Sequence, residues 1–266
     1  YESNDRSILD GKELDIYIPS LNLAIEFNGL YWHSEIFKSS KYHSDKSSNC
    51  QEKGIHLIHI WEDDWKYKQC IVESIIKYKL GKIENNIYAR KTEIREVNSK
   101  DARIFLDENH IQGFSRSTYK LGLYYDNKLV SLMTFGYRNI NNKKEFELIR
   151  FCNLLNTNVI GGSSKLFKYF IKNYSDKIIT DKIISYADTA MFEGSLYSFL
   201  NFNEIHLSKP SYFWVVKGKR EPRFKYNKKK LVAEGFSSTN TEVEIMHIRG
   251  YYRIWGCGQK RYEYSL

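Results

Sequence analysis

The chain has 266 residues, 42% of them hydrophobic, with a formal net charge of +9, which is enough for two domains with separate cores. No apolar run reaches the roughly 18 residues a membrane-spanning helix needs, and no secretory signal opens the chain, so neither a membrane nor a secreted protein is expected. Cys50, Cys70, Cys152 and Cys257 show no CxxC spacing, which excludes a zinc knuckle or disulfide framework and fits a reducing cytoplasm.

Charge is unevenly distributed. Residues 1–86 hold 11 basic and 14 acidic side chains, and the remainder holds 30 and 18. The basic surface therefore belongs to the later part, and a polyanion is its natural partner.

Residues 1–12 read as a loop or edge strand. Glu13 to Pro19 and Leu23 to Asn28 are apolar, β-rich runs joined by a turn at Pro19–Asn22, and the runs carry Asp15 and Glu26 among residues that favour burial. A buried carboxylate needs compensation, and a hard divalent cation, Mg2+ or Mn2+, shared by Asp15 and Glu26 would supply it. Asn28-Gly29 turns the chain and presents Tyr31, Trp32 and His33 together. Acids to hold an ion and an imidazole to move a proton are the parts of a hydrolytic metal site.

Ser34 to Lys53 is polar and lysine-rich, and in a helix Tyr42, His43 and Lys46 share one face. His43 and Lys46 either face a reacting phosphate there or lie on a solvated helix. Gly54 ends the helix, and Ile55 to Ile60 is a strand whose His56 and His59 are expected on an outer sheet face. Asp63 to Leu80 reads as an amphipathic helix with Ile71, Ile75, Ile76 and Leu80 inward.

Gly81 to Asn86 is a turn-rich hinge, which divides the chain into domains at 1–84 and 87–266. Ala89 to Val97 reads as a strand, and Lys100 to Asn109 as a helix with Ala102, Phe105 and Leu106 inward. A hairpin follows around Asp126-Asn127, then a strand over Phe146 to Asn153. Gly161, Gly162, Ser163 and Ser164 lead into a helix over Lys165 to Tyr174. A turn opening a helix leaves backbone N–H groups free for an anion, although the signal is weak alone.

Lys209 to Lys230 carries nine basic residues against Glu221, interleaved with Tyr212, Phe213, Trp214, Phe224 and Tyr226. Cations for phosphates and planes for bases suit nucleic acid, and Lys217, Lys219, Arg220, Arg223, Lys225, Lys228 and Lys229 are the candidate contacts. Tyr31 and Trp32 either wedge into a base stack or pack beneath the neighbouring loop. The chain closes on a hairpin turning at Gly256 to Gly258.

Two resemblances follow from these residues. Asp15, the strand Ala24-Ile-Glu26-Phe-Asn28-Gly29, Tyr31-Trp32-His33, Tyr42-His43, Lys46, Cys50 and Trp61-Glu-Asp-Asp-Trp65 together resemble the PD-(D/E)xK nuclease core in its very-short-patch-repair (Vsr-like) branch, which includes phage homing endonucleases. Asn28 stands where the family commonly has lysine, and His33 occupies the position of the histidine that serves instead. Gly161 to Lys165, the strand Ile183–Ala187 and Leu196 to Phe202 are similar to the GNAT acyltransferase fold. The whole later region also resembles the second domain of phage homing endonucleases and Mom-like DNA-modification proteins.

The resemblances imply an α/β (α+β) chain: a restriction-endonuclease-like mixed sheet, then a GNAT-like α/β domain. They imply a magnesium-dependent endonuclease that hydrolyses double-stranded DNA in a host cell's cytoplasm. Asp15 and Glu26 would be metal ligands, and His33, His43 and Lys46 further catalytic residues. Gly161 to Ser164 would form a residual cofactor cradle. The alternatives are a nucleobase-modifying acyl-type transferase or a non-catalytic DNA-binding protein. The sequence leaves the oligomeric state open.

Overall fold

The computed structural model describes residues 1–140 and 142–266. In chain order the strands are β1 (Glu2–Leu9), β2 (Lys12–Ile18), β3 (Leu23–Asn28), β4 (His56–Trp61), β5 (Asn85–Tyr88), β6 (Glu93–Glu96), β7 (Tyr119–Tyr125), β8 (Lys128–Ile140), β9 (Lys143–Asn153), β10 (Thr157–Ile160), β11 (Lys182–Asp188), β12 (Asn203–Leu207), β13 (Tyr212–Val216), β14 (Lys219–Pro222), β15 (Tyr252–Trp255) and β16 (Gln259–Ser265). The helices are α1 (Tyr42–Glu52), α2 (Glu62–Lys79), α3 (Ser99–Asn109), α4 (Gly162–Tyr174), α5 (Ser195–Phe199), α6 (Lys228–Ala233) and α7 (Glu242–Ile248). The architecture is mixed α/β.

The chain forms two compact units. The first takes Tyr1–Tyr67, Asp188–Glu193 and Leu207–Gln259, and the second takes Lys68–Ala187, Gly194–His206 and Lys260–Leu266. This division differs from the one expected at residues 84–87. It falls within α2, which breaks at Lys68 (φ −138°, ψ 32°). The basic stretch joins the first unit for a physical reason: Leu30 and Trp61 bury against Val215 and Ile254.

In the first unit, β1, β2, β3 and β4 form a sheet in that order, antiparallel as far as β3 and parallel between β3 and β4. A parallel pair needs a crossover, and α1 lies in it, with Cys50 packed beside Leu14, Ala24 and Leu57. A second sheet runs β14-β13-β15. Trp214 from its centre packs with Leu231 of α6 and with Ile245 and Met246 of α7. α7 starts on a capping box, in which Thr241 and Glu244 satisfy each other's backbone N–H groups.

In the second unit the sheet order is β12-β16-β11-β9-β8-β7-β6. The hairpin of β7 and β8 turns at Asp126 and Asn127, both left-handed (φ 48° and 59°), as the sequence implies. Phe135, Phe146, Phe167 and Phe170 stack at the centre, the last two from α4. Ala102, Phe105 and Leu106 of α3 face inward as their spacing predicts.

Several expected elements differ. Only Glu93–Glu96 of the strand expected over Ala89–Val97 is extended, because Ala89–Lys91 forms a 3-10 turn closed by Thr92 donating to Ala89 O. No hairpin closes the chain either. β15 pairs with β13, Tyr212 opposite Trp255, while β16 joins the seven-stranded sheet.

Candidate functional site

In the first unit, polar side chains collect behind β3. The registered β2–β3 pairs end at Ile16–Ile25, and beyond them the Asp15 carboxylate accepts from the Phe27 N–H at 2.7 Å. Glu26 is buried, and its Oε1 lies 2.5 Å from Nζ of Lys46, which α1 sends inward. The other oxygen, Oε2, has no hydrogen-bond partner among the described residues. Burial raises the Glu26 pKa above its usual value, against the lowering effect of Lys46.

Imidazoles lie beside this pair. His33 Nδ1 and His43 Nε2 are 3.0 Å apart with their rings stacked. Burial, with Lys38 and Lys46 adding to it, lowers His33 to about 4. Burial and then His33 lower His43 to about 3. His59, expected on an outer face, is instead fully buried: Asn28 Nδ2 lies 3.2 Å from its Nδ1 and Ser47 Oγ 2.8 Å from its Nε2. An apolar-polar alternation cannot signal such a histidine, because its two partners come from a different strand and a helix. The five expected residues are thus brought together, around a buried ion pair and neutral imidazoles. Tyr31 and Trp32 are exposed and in edge contact, with ring centroids 5.1 Å apart.

In the second unit, α4 starts at Gly161, whose left-handed backbone (φ 77°) serves as N-cap without a side-chain cap. The first N–H groups of α4 are thus left for another acceptor. A Cβ on Gly162 would lie 3.0 Å from Val159, so that glycine serves close packing against β10. Lys165 turns away: its Nζ donates to Ala89 O at 2.8 Å and to the carbonyl of Thr92.

Strands β9 and β11 run parallel, registered at Phe146–Ile183 and Glu147–Ile184. Beyond that point Ser185 of β11 bridges them, its Oγ donating to Leu148 O of β9 at 2.7 Å, while the Tyr197 hydroxyl, from α5, donates to Tyr186 O of β11 at 3.0 Å. Glu147 sits at the last registered pair, 3.4 Å from Arg138, and burial raises its pKa against Arg138 and Arg150.

Of the expected DNA contacts, Lys217, Lys219, Arg223, Lys225, Lys228 and Lys229 are exposed. Arg220 is a correction. It is engaged in ion pairs with Asp63, 2.8 Å away, and Asp64, and its guanidinium lies over the Trp61 ring. Asp63 and Asp64, in the first turn of α2, supply the partners that hold it.

No family model matches the chain, and no curated protein matches it in sequence. Among solved structures the chain is similar to the ribosomal-protein-S18-alanine N-acetyltransferase of Escherichia coli, at 11% identity over 65% of this chain and 93% of that one, with a TM-score of 0.40. It is also similar to a GNAT family acetyltransferase of Elizabethkingia anophelis with acetyl-CoA bound, at 12% identity over 66% and 99% and a TM-score of 0.38. A Bacillus subtilis acetyltransferase in complex with CoA shows 10% identity over 66% and 99% and a TM-score of 0.37. Likeness at this level carries neither activity nor substrate across.

The expected magnesium-dependent endonuclease is corrected on the residues of the site itself. Among the described residues, no group of three or more His, Cys, Asp or Glu side chains could hold a metal ion. Asp15 and Glu26 therefore do not stand as ligands of Mg2+ or Mn2+. The physical reason is Lys46, whose ammonium group supplies the positive charge that the sequence reading assigned to a cation. Among the described residues no helix is long and apolar enough to cross a membrane.

Proposed function

We propose that the chain is an acyl-type transferase directed at nucleic acid, with the donor held by the second unit. The observation that carries the reading is the uncapped start of α4 at Gly161 in the same unit as two parallel strands bridged by Ser185 beyond two registered pairs. Helix N–H groups without a side-chain acceptor suit a phosphate, and those of Gly162, Ser163 and Ser164 would hold one. The edges of β9 and β11 beyond Glu147 suit an extended amide-bearing chain, which can pair with backbone as an added strand does. A phosphorylated acyl thioester such as acetyl-coenzyme A has both parts and would supply the acyl group. Glu147, with its raised pKa, is the carboxyl positioned to hold a proton at that opening, where Ser185 ties β11 to β9 and Tyr197 holds β11. Double-stranded DNA is the proposed partner, supported by the net charge of +9 and the exposed cations of the first unit.

A second reading, non-catalytic DNA binding, is favoured by one observation. Lys165, the lysine nearest the turn in sequence, spends its ammonium on backbone carbonyls rather than keeping it for a phosphate. Calorimetry with acetyl-coenzyme A and coenzyme A separates the two. The transferase reading expects binding that Ser163→Glu abolishes by placing a carboxylate at the helix start. Absence of heat with the wild-type protein, alongside retained DNA binding, overturns it in favour of the second.

A further inference from the structure

Five aromatic residues punctuate the basic stretch of the first unit, and the structure separates one from the rest. Trp214 is completely buried. Tyr212 packs its ring on Trp214 and Trp255, Phe213 lies against the cluster of Val215 and Ile254, and Tyr226 lies against that of Leu231 and Ile245. Phe224 alone of the five stands out, 67% exposed, in the middle of the 3-10 turn Arg223–Tyr226.

Its chain neighbours are cationic. Arg223 and Lys225 flank it, and Lys228, Lys229 and Lys230 follow at the start of α6, all exposed. Lys225 is paired with Glu221, whereas Lys229 and Lys230 have no ion-pair partner among the described residues. The turn is held from within, because Asn227 caps α6 through the Lys230 N–H and its own side-chain amide donates to Phe224 O at 3.1 Å. A bare aromatic ring costs solubility on any surface, and beside unpaired cations it matches a partner that offers anions and flat apolar faces together. Nucleic acid does so, its phosphates meeting the lysines and a base meeting the ring.

We propose that Phe224 is a base-contacting residue that inserts against the stacked bases of duplex DNA, while Arg223, Lys228, Lys229 and Lys230 hold the flanking phosphates. The inference rests on the nucleic-acid partner of the proposed function and is independent of the transfer step. Fluorescence anisotropy with a labelled DNA duplex over a range of salt concentrations tests it. Phe224→Ala is expected to weaken binding by about 5- to 150-fold, the equivalent of about 1–3 kcal/mol, with an unchanged salt slope. Phe224→Trp is expected to retain wild-type affinity. Lys229→Ala is expected to lower the slope of log affinity against log salt by about 0.9. Wild-type binding with an undiminished Phe224→Ala affinity overturns the role of the ring. Failure of the wild-type protein to bind the duplex removes the nucleic-acid reading itself. Circular dichroism of each variant confirms that the exposed substitution leaves the fold intact.

Discussion

Nζ of Lys46 lies 2.5 Å from Oε1 of Glu26, with 4% and 5% of the two side chains exposed. Such a pair is held by mutual need, since each charge is costly once the other is gone. Lys46→Met therefore leaves a buried carboxylate uncompensated and should cost about 3–5 kcal/mol. The double variant Lys46→Met, Glu26→Gln should recover much of that loss. Chemical denaturation of the two proteins checks the pairing, and equal stabilities would refute it.

The histidines beside that pair give stability a pH dependence of definite sign. His33 and His43 are held near 4 and 3, below the usual 6.5, because burial disfavours their charged forms. The unfolded chain therefore binds more protons, and stability is full above pH 6.5 and falls as pH drops toward 4. The expected slope is at most about 1.4 kcal/mol per pH unit for each imidazole in that window. Denaturation midpoints at a series of pH values measure it. His43→Gln should flatten the profile.

Arg220 should behave as a structural residue. Its guanidinium joins Asp63 and Asp64 with all three side chains at least 87% buried, so Arg220→Ala removes a buried cation that both acids share and should cost about 3–5 kcal/mol. Thermal melting should show the loss, and the salt slope of DNA binding by the protein that remains folded should match wild type.

Gly194 is fixed by a close approach. A Cβ there would lie 2.0 Å from the Tyr262 hydroxyl oxygen, on a left-handed backbone (φ 87°). Gly194→Ala should destabilise the protein by about 1–3 kcal/mol or more, through both overpacking and backbone strain. Its melting temperature should recover in part when combined with Tyr262→Phe, which removes the clashing oxygen.

Local pattern conveyed the elements well where period and turn chemistry agreed. The Asp126-Asn127 hairpin and the inward face of α3 were both legible, because each depends on neighbours within a few residues. The gathering of Asp15, Glu26, Lys46, His33 and His43 was also legible as a set. Its electrostatics were not, because composition cannot say whether a carboxylate meets a metal or a lysine from a helix twenty positions later. Arg220 was misread for a related reason. Amid nine cations it looks like its neighbours, and only folding shows that Asp63 and Asp64 have claimed it. The terminal hairpin failed because Gly256 to Gly258 suits a tight turn equally well as a crossing from one sheet to another.

Each compact unit draws on three separate stretches of the chain, and the first draws on residues as late as Gln259. Leu30 and Trp61 find the apolar cover of Val215 and Ile254 only after well over a hundred further residues have been made. During synthesis the first sheet must wait, with that patch uncovered, until the chain as far as Ile254 has emerged. No single cut separates the residues of one unit from those of the other.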